Sequence, residues 1–279
     1  VDLMISIEST LLASSWIMIF TGLCTIIAVY LINAPYGRYA PSPSSKGNEW
    51  GFLVPPKVAW FIMESPNVWM MILVFVVATV FDSCVINDSK MGNSSSSLPN
   101  IILALCFLFH YINRSILYPL QMHGGNSMPI SVMLLAFTFC TWNGFNQAVS
   151  LLIVTKYPIN WMFNPQFIIG IILFLGGFYI NISADKYLLS LKKNKQGSET
   201  KSYSIPRGGL FEYISCPNYF GEILEWIGFA IASSSLPALA FAWYTFSNLF
   251  PRAIKHHQWY REKFEDYPQH RKAVIPFVI

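Results

Sequence analysis

Charged side chains are scarce in this sequence: Asp, Glu, Lys and Arg make up 11% of its 279 residues, against roughly 25% in an ordinary soluble domain. Hydrophobic residues make up 54% and mean hydropathy is +0.45, so a non-aqueous solvent is required and the chain reads as integral to a membrane. The net charge is only +4, and the 18 Lys and Arg fall mostly in loops and the C-terminal tail. With no continuous basic stripe to follow a phosphate backbone, no nucleic-acid partner is expected. Paired cysteines are lacking too: Cys24, Cys84, Cys106, Cys140 and Cys216 include no C-x-x-C, which suggests neither a disulfide framework nor a zinc site. His256 and His257 have no third ligand at a compatible spacing, so no metal is expected. A strand followed by G-x-G-x-x-G is missing, as is a Walker loop. There is no nucleophile elbow either. A nucleotide would therefore have to bind outside the usual α/β folds, and acyl transfer has no support.

Long apolar runs are what the sequence does have. About seven stretches reach the roughly 20 residues that a hydrocarbon core about 30 Å thick demands, near 9–33, 66–86, 99–121, 128–154, 165–190, 213–232 and 235–259. Runs of this length without strict alternation exclude a β-barrel, so the expectation is an all-α, multi-pass membrane protein forming a single domain over residues 1–279. Pro35, Pro99, Pro129, Pro165, Pro217 and Pro237 lie near the ends of these spans, where a missing amide hydrogen is tolerated. The first span has no basic region ahead of it and is read as a retained helix rather than a signal peptide. Fifteen of the Lys and Arg fall after odd-numbered spans or in the tail, whereas only Lys90 and Lys156 lie opposite. Basic loops stay cytosolic, so an exoplasmic N-terminus and a cytosolic C-terminus are expected. Asn87 to Pro99, with four serines in a row and sequons at Asn87 and Asn93, reads as an exoplasmic loop.

Polar groups inside spans are costly, about 2.5 to 3.5 kcal/mol each at a helix centre on insertion scales, and here they form stripes. The third span carries His110, Tyr111 and Arg114, and the fifth carries Asn181 and Asp185. The sixth carries Asn218, Glu222 and Glu225, and the seventh Arg252, His256 and Tyr260, each set on one helical face. Glu64 stands just before the second span. With the orientation above, all lie in the cytosolic half, which predicts a polar cavity open to the cytosol. Helix-to-helix hydrogen bonding and internal ion pairing, above all at Glu225, are the plainer alternative.

A long series of segments resembles the steroid 5α-reductases, including their plant brassinosteroid relatives. It runs from Tyr36-Gly37-Arg38 through Ala59-Trp60-Phe61-Ile62-Met63-Glu64-Ser65-Pro66, His110-Tyr111-x-x-Arg114 and Phe139-Cys140-Thr141-x-Asn143-Gly144. Asn181 to Asp185, Ile205 to Phe211, Asn218 to Trp226, Phe264 to Pro268 and Ile275 to Phe277 follow in the family order.

The resemblance implies a seven-helix reductase that binds NADPH from the cytosol and takes a lipophilic 3-oxo-Δ4 steroid from the bilayer, with no obligate protein partner. It implies that Glu64 and Tyr111 hydrogen-bond the substrate ketone, and that Trp60 and Phe139 line an apolar substrate pocket. Asn218 and Glu222 are implied near the nicotinamide, and Asn181 and Asp185 near the ribose and phosphates. Tyr36, Arg114, Tyr118, Lys192, Arg252, His256 and Tyr260 are implied to line the cofactor. A phenol donates directly and a carboxyl only when protonated, so Glu64 would be held neutral by burial or would orient Tyr111. Met63 stands where mammalian members usually carry Gln, and Lys192 replaces an Arg that could bind bidentately. The host membrane would be the endoplasmic reticulum in a eukaryote and the inner membrane in a bacterium. Loops around Pro41 to Trp50 and Lys192 to Tyr203 are expected to order on cofactor binding. Reduction of an enoyl lipid or polyprenol, a receptor or transporter role without chemistry, and methyl transfer are the competing readings.

Overall fold

A computed structural model describes residues 2–32, 37–39, 50–86, 97–193 and 203–279. Tyr36, both sequons, the serine run and most of the two loops named above lie outside these residues. The chain is mostly helical, as its apolar runs require where no water can satisfy the backbone. The helices are α1 (Asp2–Leu31), α2 (Pro56–Ile86), α3 (Leu98–Ile112), α4 (Tyr118–Gln121), α5 (Ile130–Val149), α6 (Pro165–Lys193), α7 (Pro217–Ser233) and α8 (Leu236–Lys263). A π-helical turn, Asn113–Leu117, fuses α3 to α4, and another, Ser150–Val154, extends α5.

Among the described residues four helices are long and apolar enough to cross a membrane: Leu3–Leu31, Pro56–Val80, Leu98–Gln121 and Pro165–Lys192. The other three long helices expected as spans are present, but α7 has 17 residues and α8 ends in a basic turn with Arg261 and Lys263. The α5 rod carries Asn143, Asn146 and Gln147 as buried polar groups. Trp16, Phe20, Trp69, Phe109 and Ile172 all stand exposed, a distribution that suits lipid and would be an aggregation hazard in water.

The prolines punctuate as expected: Pro99, Pro165, Pro217 and Pro237 lie in first turns, and Pro129 is the N-cap of α5. Pro66 is different. The second span was expected to begin there, but α2 starts ten residues earlier at Pro56 and runs through it. Pro66 cannot donate to the carbonyl of Ile62; the Ser65 hydroxyl donates to that oxygen instead, at 3.4 Å. Glu64 therefore sits inside a helix and not ahead of one.

Two close approaches hold the bundle together. Gly170 and Gly177 of α6 face Gly228 and Gly221 of α7 so tightly that an added methyl at any of them would overlap the opposite backbone. α5 crosses α2 at Gly144, whose added Cβ would lie 2.9 Å from the Cα of Asn67. A two-residue antiparallel ladder, β1 (Leu53–Val54) with β2 (Met128–Pro129), ties the start of α2 to the start of α5. Buried Trp226 of α7 occupies the centre of the core, with Phe107, Phe229 and Phe241 packed edge-on or tilted around it. The C-terminal tail folds back on the loop before α7: Ser215 N–H donates to the Lys272 carbonyl at 2.8 Å, and Lys272 N–H to Tyr213 at 2.9 Å.

Candidate active site

Four helix segments bring their polar stripes to one end of the bundle. The widened turn Asn113–Leu117, closed by the Tyr118 N–H donating to Asn113, presents Arg114 toward α6 and α7. Such bulges recur at functional sites because they re-aim a side chain within an otherwise regular helix. The Arg114 guanidinium donates to Asp185 Oδ2 at 2.9 Å and lies 3.4 Å from Glu222 Oε2. Asn218 Nδ2 donates to Asp185 Oδ1 at 2.9 Å, and Asn181 Nδ2 to the Asn218 carbonyl at 3.0 Å and to Glu222 at 3.4 Å. The guanidinium also lies over the rings of Trp60, at 4.7 Å, and Tyr118, at 5.3 Å. Trp60 therefore forms a wall under a cation, which adds to the apolar contact expected of it.

The expected catalytic pair lies on the adjoining face, organised by α5. Glu64 contacts the Cys140 thiol, with Sγ 3.6 Å from Oε2. Tyr111 accepts from Asn143 Nδ2 at 3.4 Å. Cys140 and Asn143 are three residues apart and share a helical face, so both acidic groups look onto the same stretch of α5. Among the described residues no hydrogen bond joins Glu64 to Tyr111. Phe139 stacks on Tyr244, with ring centroids 4.0 Å apart, and lies near Phe241.

Some predicted residues lie apart from this cluster. Glu225, on the stripe with Asn218 and Glu222, turns inward to His110, 2.8 Å away, and both side chains are almost wholly buried. An internal pair was anticipated for Glu225 with Arg114 or Arg252; the partner is His110 instead. His256 lies between Tyr39, 3.4 Å from Nδ1, and Tyr219, 3.2 Å from Nε2. Arg252 Nε donates to Asn248 at 2.8 Å. Tyr260 is buried in a stack with Tyr267, 5.4 Å between centroids. Lys192 is exposed at the end of α6. Lys192 thus stands on α6 and the other three on α8, where His256 meets Tyr219, the neighbour of Asn218.

The wide hollow expected at this depth is nearly closed. A pocket of about 10 Å³ lies among Asn113, Tyr118, Gln121, Asp185 and Leu189, enough for about one water. The large cavity, about 430 Å³, is at the opposite end of the bundle among Glu8, Ser150, Trp161 and Pro237 and touches none of the expected site residues. The composition of the polar cluster suits part of a dinucleotide. Two carboxylates face one guanidinium, an arrangement that repels phosphate but accepts from ribose hydroxyls and an amide. Asn181 Oδ1 is buried without a partner among the described residues, an open acceptor for such a donor. Phosphates would belong with the basic group, Lys192, Arg252 and His256. No group of three His, Cys, Asp or Glu among the described residues could hold a metal ion.

Comparison with known proteins is decisive at the level of family. The family model described as 3-oxo-5-alpha-steroid 4-dehydrogenase matches residues 126–279. A 3-oxo-5-alpha-steroid 4-dehydrogenase 1 of Bos taurus is 43% identical over 92% of this chain and 93% of its own length. The chain belongs to the 3-oxo-5-alpha-steroid 4-dehydrogenase family. A steroid 5-alpha-reductase of Arabidopsis thaliana is 42% identical over 94% of both chains. A 3-oxo-5-alpha-steroid 4-dehydrogenase 1 of Homo sapiens is 38% identical over 97% of this one and 96% of its own. Animal and plant members of the family therefore match about equally well.

What sequence reasoning missed is the buried amide network behind Tyr111. Asn143 Nδ2 also donates to Asn67 Oδ1 at 3.2 Å, and Gln147 Nε2 donates to Asn143 Oδ1 at 3.3 Å and to the Pro237 carbonyl at 2.9 Å. The signal was the i, i+4 spacing of Asn143 and Gln147 in an otherwise apolar run.

Proposed function

We propose that this chain reduces the carbon–carbon double bond of a 3-oxo-Δ4 steroid to the 5α product, in a membrane, with NADPH taken from the cytosol. The observation that carries the reading is the buried cluster of Arg114, Asp185, Glu222, Asn181 and Asn218 beside Glu64 and Tyr111, in a chain of this family. A bound nicotinamide nucleotide would supply hydride to the β-carbon of the enone. Asn218, Glu222, Asn181 and Asp185 would hold its nicotinamide and ribose, with Arg114, Tyr118 and Tyr36 along its length and Lys192, Arg252, His256 and Tyr260 toward its phosphates.

The protein's own contribution to the reaction is electrostatic. As the β-carbon gains electrons, charge develops on the ketone oxygen, and a fixed donor aimed there stabilises the enolate more than the ground state. Tyr111 supplies the phenol, and Glu64, neutral when it donates, supplies the second contact. Trp60 and Phe139 flank the rings and exclude water, which strengthens both hydrogen bonds.

The test uses purified full-length protein in detergent with NADPH and, in turn, testosterone, progesterone and a long-chain enoyl thioester, with product masses read out. A gain of two hydrogens on the steroids alone supports the reading. Reduction of the thioester alone moves the substrate class to enoyl lipids, and methylation in a parallel reaction with S-adenosylmethionine overturns it. Glu64→Gln and Tyr111→Phe should each lower turnover about 10²-fold or more; normal turnover in both would remove these residues from the mechanism.

A further inference from the structure

We infer that Asn143 is a positioning residue that fixes the direction in which the Tyr111 hydroxyl donates, through a chain of hydrogen bonds whose polarity is set by one backbone carbonyl. The inference rests on the assignment of Tyr111 as donor to the substrate ketone.

The chain is read from its far end. A backbone carbonyl can only accept, so the atom of Gln147 that lies 2.9 Å from the Pro237 oxygen is the amide nitrogen. Its second hydrogen points at Asn143, 3.3 Å away, where the partner must then be the oxygen Oδ1. That turns the Asn143 amide nitrogen the other way, toward Asn67 Oδ1 at 3.2 Å and the Tyr111 oxygen at 3.4 Å. Both Asn143 hydrogens are thereby assigned, and the phenol oxygen is an acceptor on this side. Its own hydrogen is excluded from Asn143 and left for an acceptor elsewhere. Asn143 and Gln147 are almost wholly buried, so no water competes for these bonds. An amide orientation usually has to be assumed; here the Pro237 carbonyl dictates it.

Without this chain the phenol could turn its hydrogen toward the protein, and that rotamer would have to be undone each time the ketone oxygen gains charge. The expected cost is in turnover, because the contact matters most in the transition state. Asn143→Leu keeps the size and branching of the side chain while removing the donor. It should lower kcat about tenfold, the weight of one hydrogen bond, with KM for the steroid changed less than about twofold. In a Tyr111→Phe background the same substitution should cause no further loss, since there is no hydroxyl left to orient.

A full, independent loss in that background, or unchanged kcat in Asn143→Leu while Tyr111→Phe is impaired, would overturn the inference and leave Tyr111 in place. Normal turnover in Tyr111→Phe would instead remove the assignment on which it rests. Should Asn143→Leu not fold, Gln147→Met answers the same question. It frees Asn143 to turn over and should lower kcat about threefold in the parent, half-way to the loss of the whole bond, and not at all in Tyr111→Phe. Loss of the same size in both backgrounds would count against the chain.

Discussion

Glu212 stands outside the bundle, on the short turn ahead of α7, and its carboxyl is held below its ordinary value. The Gly208 backbone N–H donates to it, and the Arg271 guanidinium lies 3.3 Å from its other oxygen. A carboxyl more acidic in the fold than in the unfolded chain stabilises the fold above the ordinary carboxyl range, and that contribution is lost as pH falls through the folded value. Glu212→Gln should therefore lower Tm in detergent at pH 7, and the difference should shrink as pH falls below the ordinary carboxyl range; a difference independent of pH would refute the electrostatic account. Other single residues were less legible. Pro66 was taken as a helix start because proline usually punctuates, and the Ser65 hydroxyl that covers the freed Ile62 carbonyl is a matter of rotamer, invisible in a one-dimensional pattern. Arg114, Asp185, Asn218 and Glu222 were legible because ionisable groups in apolar runs must find one another. Asn143 was quoted as part of a motif yet given no role, since an amide acquires one only when its partners are known.

At the scale of elements, the α6 to α7 contact makes neighbouring glycines opposite in consequence. A methyl at Gly177 would overlap the Glu225 amide and the Gly221 carbonyl, whereas one at Gly176 meets nothing. Gly177→Ala should destabilise by about 1–3 kcal/mol and weaken NADPH binding, because Asn181 lies one turn further along the displaced helix. Gly176→Ala should be neutral or stabilising by up to about 1 kcal/mol. Thermal unfolding in detergent and cofactor titration of both variants check this, and equal behaviour would mean the helices do not approach as described. The start of α6 was readable at Pro165, whereas α7 opens at Pro217, inside the span expected from residue 213. The seven-residue spacing of Gly170 and Gly177, matched by Gly221 and Gly228, was present in the sequence but did not say which helices it joins.

At the scale of the molecule, basic residues fall overwhelmingly on one side, fifteen against two, from which a cytosolic C-terminus and a polar cluster in the cytosolic half of the bundle are expected. In sealed vesicles of cytosolic-side-out orientation, an impermeant maleimide should label Arg261→Cys and spare Glu8→Cys, both exposed positions at opposite ends of the bundle. The reverse pattern would invert the topology and put the cluster out of reach of cytosolic NADPH. The helical class was legible from hydropathy, and the meeting of the polar stripes from their spacing within apolar runs. How tightly the cluster closes was not, because apolar runs and stripes fix which face a residue takes and not the gap between faces.

The short ladder of Leu53–Val54 with Met128–Pro129 and the crossing at Gly144 fasten α2 to α5 at two points. Glu64 and the side chains that steady Tyr111 are thus mounted on one stiff jaw. Any widening of the interior therefore has to come from elsewhere in the bundle, with α2 and α5 travelling as one body.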